Sequence, residues 1–108
     1  MADDQTGVFR ALADPTRRQI LADLRDGELT AGEIAARFPI SGPSISRHLT
    51  VLKGAGLVTE RREANRIYYT LVEERLAVSV GTFLSAVCPG AVIMRHKRKK
   101  APQGRAAQ

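Results

Sequence analysis

Residues 40–56, ISGPSISRHLTVLKGAG, constrain this chain more than any other stretch. At 3.6 residues per turn, Ile45, Leu49 and Leu52 fall at i, i+4 and i+7 and form one apolar stripe. The opposite arc carries Ser44, Ser46, Arg47 and Thr50, with Lys53 on its flank and no acidic residue in the segment. Ser41 stands where an N-cap belongs, and Pro43 is harmless in a first turn whose N–H groups lack intrahelical partners. Gly54 and Gly56 supply the stop, Gly56 as a candidate left-handed C′ residue. One face therefore suits a core, and the other offers short hydroxyls and a guanidinium. Short donors let a helix lie close to a surface, and Arg reads a guanine edge or clamps a phosphate. An ordinary amphipathic surface helix is the competing reading, but Ser and Thr are mediocre helix formers and unusual filler for it.

The rest of the chain supplies the context. Val8, Phe9 and Leu12 form a short stripe on a first helix, which ends at Asp14-Pro15. Asp14 caps a second helix to about Asp26, with Ile20, Leu21 and Leu24 inward and Arg17, Arg18 and Arg25 solvated; Gly27 stops it. Thr30-Ala31-Gly32-Glu33 is a capping box opening a short helix to about Phe38, with Ile34, Ala35 and Phe38 inward, and Pro39 then forces a turn. A short helix, a tight turn and a second helix with a polar outer face is a helix-turn-helix.

Two β-rich runs follow, Leu57–Arg62 and Ile67–Leu71, joined by Glu63-Ala64-Asn65-Arg66 with Asn65 suited to positive φ. Ile67, Tyr69 and Leu71 share one face at period two, which sends Tyr69 to the core and leaves Tyr68 open. Arg61, Arg62 and Arg66 mark this hairpin as a wing able to straddle a phosphate backbone. Leu76, Val80, Phe83, Leu84 and Val87 then line one side of a helix from about Glu73 to Cys88. A chain of 108 residues forms one small domain, so this last stripe is expected to meet a second copy.

Charge sharpens the reading. The formal net charge is +6, yet residues 1–94 hold 11 basic and 11 acidic residues, so the whole excess lies in residues 95–108. Within the body, residues 41–70 carry five basic and two acidic residues, concentrating positive charge on the helix-turn-helix and wing. The expected division is a body over residues 1–94 and a basic, disordered tail over 95–108, which adds nonspecific DNA attraction. The polar, acidic N-terminus lacks a signal pattern, the longest clean apolar run is Ala91–Met94, and one cysteine excludes an internal disulfide. These features fit the cytoplasm.

The blocks FRALADPTRRQIL, TAGEIAARF, SGPSISRHLTVLKGAGLV and NRIYYTL, in that order over roughly Val8 to Val87, resemble the ArsR/SmtB family of bacterial winged-helix repressors. The resemblance implies a mainly α fold with a β-hairpin wing and a homodimer through the first and last helices. Val8, Phe9 and Leu12 would join the last-helix stripe at that interface. It also implies operator DNA binding through Ser44, Ser46, Arg47 and Thr50, with repression as the usual outcome. Ser41, Lys53, Arg61, Arg62, Asn65 and Arg66 would hold the backbone.

The chain departs from the family's metal sensors. Thr30, Ala31 and Gly32 stand where the thiolate site needs soft ligands, and the last helix offers Glu73, Glu74 and Cys88 but no His. No metal and no cofactor is expected, and the metal-independent, autorepressor-like branch is the nearer resemblance. His48 reads as a hydrogen-bonded packing residue rather than a DNA reader, and Cys88 as an inert thiol rather than a switch. His96 lies too far along the chain from Cys88 to make a natural ligand pair. Two rivals share the fold: a metal- or ligand-responsive sensor with a non-standard site, and a protein-interaction module. The arginine-bearing wing argues against the module. An enzyme is the least favoured reading, since the sequence has no glycine-rich phosphate loop, no Ser/His/Asp set, no paired buried carboxylates and only two histidines.

Overall fold

Three of the helices begin where a side chain takes up unpaired N–H groups. The structure, a computed structural model, describes residues 2–90. The first helix, α1 (Ala2–Leu12), is followed by α2 (Pro15–Asp23), whose N-cap Asp14 accepts from Thr16 N at 2.9 Å and Arg17 N at 3.2 Å. A 3₁₀ turn over Leu24–Asp26 ends at Gly27, so the α-helix stops three residues before the sequence pattern placed its end. In the capping box, Glu33 N donates to Thr30 Oγ1 at 3.1 Å and Thr30 N donates to Glu33 Oε1 at 2.8 Å. It opens α3 (Ala31–Ala35), shorter than expected because Ala36 already closes the last turn. Ile34 is buried, while Ala35 and Phe38 are only half-buried.

Ser41 caps α4 (Gly42–Gly54), and Gly56 leaves it at a φ of 78°, the left-handed conformation that glycine adopts without strain. The chain then pairs β2 (Val58–Glu63) with β3 (Arg66–Leu71). A two-residue strand β1 (Leu29–Thr30), not foreseen from the sequence, pairs antiparallel with the other edge of β3, giving the order β1-β3-β2. The hairpin also differs from expectation. Glu63 pairs with Arg66, so the turn is Ala64-Asn65 alone, and Ala64, not Asn65, takes the positive φ of 57°.

The chain divides into two compact units, residues 1–75 and a second beginning at Leu76. In the first, Ile20, Ile34, Leu52, Leu57, Val8 and Val58 are the largest fully buried side chains. Val8 was expected at a dimer interface, but with 0% exposure it is core and has no surface to offer a second copy. The second unit holds most of α5 (Glu73–Val87). On α5 Leu76 and Val80 are half-buried, and Val87, Phe83 and Leu84 are exposed at 63%, 49% and 36%. The 95–108 tail and His96 lie outside the described residues. Among the described residues no helix is long and apolar enough to cross a membrane.

Candidate nucleic-acid interface

The outer face of α4 follows from its inner one. Ile45, Leu49 and Leu52 are buried, each worth roughly 1.5–3 kcal/mol against exposure. No rotation of α4 that hides its hydroxyls can compete with that. Ser46, Arg47 and Thr50 are therefore exposed, and Ser44 is half-buried.

These side chains are ordered by one another. Ser41 Oγ accepts from Ser44 N at 3.2 Å and donates to Ser44 Oγ at 3.0 Å. Arg47 Nη2 donates to the same Ser44 Oγ at 3.4 Å. Ser44 thus accepts twice, which leaves its own proton to donate outward. Thr50 Oγ1 donates to Ser46 O at 3.0 Å, so this hydroxyl is an acceptor toward any ligand. Ser41 is exposed and its hydroxyl caps α4.

The α4 helix is anchored from below by residues whose part was not evident in the sequence. Arg17, expected in solvent, is half-buried. Its Nε donates to Ala11 O at 2.7 Å and its Nη2 to Arg10 O at 3.1 Å, while Arg18 Nη1 donates to Leu12 O at 2.7 Å. Two guanidiniums from α2 thereby satisfy the last carbonyls of α1, where the helix dipole favours positive charge. Arg17 Nη1 also lies 3.2 Å from His48 Nδ1 on α4. A guanidinium only donates, so Nδ1 accepts and the imidazole proton sits on Nε2. Asp14 Oδ2, at 3.9 Å from Nδ1, is the more distant neighbour. Desolvation pushes the Asp14 carboxyl up, but the Arg17 and Thr16 N–H bonds and the nearby Arg17 charge outweigh it and hold it below the usual range. His48 is thus a hydrogen-bonded packing residue tying α4 to α2. The legible signal was the Arg17-Arg18 pair in the first turn of α2, just beyond the break that ends α1, where cations can reach its last carbonyls.

The wing cations fall into two groups. Arg62 and Arg66 are exposed and have no ion-pair partner among the described residues. Arg61 is held by Glu28 at 2.6 Å and by Glu63, with its guanidinium carbon 4.4 Å from the Tyr68 ring centre. Two carboxylates around one guanidinium leave that corner net negative, and their hydrogen bonds push the Arg61 pKa further up. Lys53 Nζ pairs with Glu60 Oε2 at 3.1 Å. That hydrogen bond, with a second from the Tyr69 hydroxyl at 3.2 Å, holds the Glu60 carboxyl below its usual range. An exposed pair of this kind is worth about 0–1 kcal/mol, so Lys53 is readily released to a phosphate, while Arg61 is held by two carboxylates and the Tyr68 ring at once. Asn65 is exposed in the turn.

Among the described residues no group of three or more His, Cys, Asp or Glu side chains converges as a metal site would require. Cys88 is free and half-buried.

A family model described as a helix-turn-helix domain matches residues 12–61, the span from the end of α1 into the wing. The chain is 46% identical over 83 residues to the transcriptional repressor SdpR of Bacillus subtilis (strain 168), covering 77% of this chain and 92% of that protein. The chain belongs to the ArsR/SmtB family of winged-helix transcriptional regulators. A crystal structure of an ArsR family transcriptional regulator superposes with a TM-score of 0.73 at 30% identity, covering 77% of this chain and 90% of that one. Identity to the transcriptional activator HlyU of Vibrio cholerae is 42% over 64 residues, covering 59% of each protein. The family is one of DNA-binding regulators, not enzymes, and its architecture is the winged helix-turn-helix described above.

Proposed function

We propose that this regulator represses transcription as a cytoplasmic homodimer bound to an imperfect palindromic operator. The observation that carries this is the Ser41–Ser44–Arg47 hydrogen-bonded line on the outer face of α4, set over three buried anchors and flanked by Arg62 and Arg66. Ser44, Ser46, Arg47 and Thr50 face the major groove, where Arg47 is the one long donor among them. Arg62 and Arg66 hold phosphates, joined by Lys53 once it leaves Glu60. Arg61 instead braces the wing. Similarity to a repressor over nearly that protein's whole length supports repression; the similarity to an activator covers a smaller part of both chains. No metal or cofactor enters this reading, and Zn²⁺, Ni²⁺ or Co²⁺ should neither bind tightly by calorimetry nor release the protein from DNA.

The test is selection of duplexes from a random library, followed by footprinting on the protein's own promoter region. A two-fold site with half-sites about 10 bp apart is expected. Recovery of no preferred sequence would overturn the reading, and a reporter whose output rises with the protein would reverse its sign.

A further inference from the structure

Arg17, Ser44, Arg47, His48 and Val51 line a cleft of about 320 Å³ on the flank of α4 that faces the start of α2. Its polar lining consists of donors. Arg17 Nη1 has a second hydrogen beyond the one directed at His48, and Nε2 of His48 carries the imidazole proton. The Ser44 hydroxyl has its proton to give, since its oxygen already accepts from Ser41 and Arg47. Asp14 is the carboxylate nearest to His48, and one of its oxygens is engaged by the Thr16 and Arg17 N–H groups. A concave site lined by two guanidiniums, an imidazole N–H and a hydroxyl has the chemistry to receive a phosphate oxyanion. It adjoins the helix face that meets DNA.

We propose that this cleft binds one backbone phosphate of each DNA half-site, with Arg17 and His48 as its ligands. The inference rests on the DNA-binding reading and adds a contact to it. Through Arg17 the same guanidinium that caps α1 reports on the phosphate, so the docking of α1, α2 and α4 sets the position of α4 on the duplex. Arg47 closes the cleft on the groove side and remains able to reach a base edge.

The experiment uses the full chain, the duplex it selects from a random library, and a scrambled duplex of equal length. His48→Leu keeps volume and removes the donor; it should weaken both duplexes about 10-fold per half-site, as loss of a hydrogen bond to a charged group does, and leave base preference unchanged. Arg17→Gln should lower the salt slope by about one per subunit, and Arg17→Lys should restore it. The deciding measurement is a cycle between His48→Leu and a neutral methylphosphonate placed at each backbone position in turn. At one position per half-site the neutral linkage should weaken wild-type binding, and His48→Leu should then cost nothing more. Should Arg17→Gln fail to fold, the His48 cycle stands alone. Sequence-specific binding with no position coupled to His48 overturns this inference while leaving the function intact. Loss of all sequence preference in the wild type instead overturns the function. A third arm titrates inorganic phosphate into DNA-free protein and follows the His48 ring by NMR. Saturation at low millimolar phosphate, together with no coupling to DNA, would assign the cleft to a free phosphorylated ligand and overturn the DNA phosphate.

Discussion

Ala64 holds a φ of 57° at the first position of a two-residue turn, between strands paired up to Glu63 and Arg66. A left-handed alanine costs roughly 1–2 kcal/mol, and glycine there loses about 0.5–1 kcal/mol of that gain to its freer unfolded state. Ala64→Gly should therefore raise stability by about 0.5–1 kcal/mol, read as a higher midpoint in urea with an unchanged slope. The turn was misplaced in the sequence because Asn is the usual occupant of positive φ, and register, not composition, decided which residue took it. A second residue-scale expectation concerns acid. Glu33 is held below its usual value of 4.5 chiefly by the Thr30 N–H bond, and Glu60 and Asp14 are lowered too. Depressed carboxylates contribute stability that is fully present above their unfolded values and is lost as pH falls through the folded ones. Thermal midpoints should thus be flat from pH 8 to about 5 and fall steeply below about 4. Glu33→Gln should lower the midpoint at pH 7 and flatten the acid limb; an unchanged limb would show that the capping box does not set it.

At the scale of elements, α4 was legible almost to the residue, because its cap, its apolar period and its glycine stop all agree. Ser41 caps it, Ile45, Leu49 and Leu52 are buried, and Gly56 exits at positive φ. By contrast, β1 has two residues, too few to show any period, and it exists because β3 offers it an open edge. Charge partners were the least legible part of the candidate site. Glu28 and Arg61 are 33 positions apart, and only folding brings them to 2.6 Å. This pairing separates the four cations once grouped together. Arg62→Ala or Arg66→Ala should weaken operator and scrambled DNA alike and lower the salt slope by about one for each lost phosphate contact. Arg61→Ala should leave that slope nearly unchanged and lower the melting temperature instead, through loss of the brace to Glu28 and Tyr68. Arg47→Ala should behave differently again, costing on the order of 1–3 kcal/mol at one base position per half-site and relaxing preference there. Salt titrations of each variant on both duplexes separate the three behaviours. Equal losses on both duplexes for Arg47→Ala would remove it from base reading.

For the whole molecule, the proposed homodimer requires that two recognition helices be held at the spacing of successive major grooves. The first 75 residues bury a core of their own, and α5 leaves Phe83, Leu84 and Val87 exposed on the side where Leu76 and Val80 also fall. At 100° per residue these five positions span about 100° of the helix, wide enough for a helix–helix seam. Of the three α1 residues expected at a dimer interface, Phe9 at 37% exposure and the half-buried Leu12 retain surface, while Val8 is core. A specific dimer needs upwards of about 1,000 Å² in total, more than one short stripe provides, which is why both helices are expected to contribute. Phe83→Asp places an unpaired carboxylate on the α5 stripe, near the middle of its length, where burial would cost several kcal/mol. It should yield a monomer at micromolar concentration by ultracentrifugation and abolish recognition of the palindrome. Thr82→Asp puts the same charge one position earlier, roughly on the opposite side of α5, and should remain dimeric and bind. This pair separates a lost interface from a lost helix, since both variants carry the same helix penalty. A monomeric wild type, or equal failure of Phe83→Asp and Thr82→Asp, would show that the seam lies elsewhere. Retention of palindrome binding by a monomeric Phe83→Asp would show instead that the DNA itself assembles the pair.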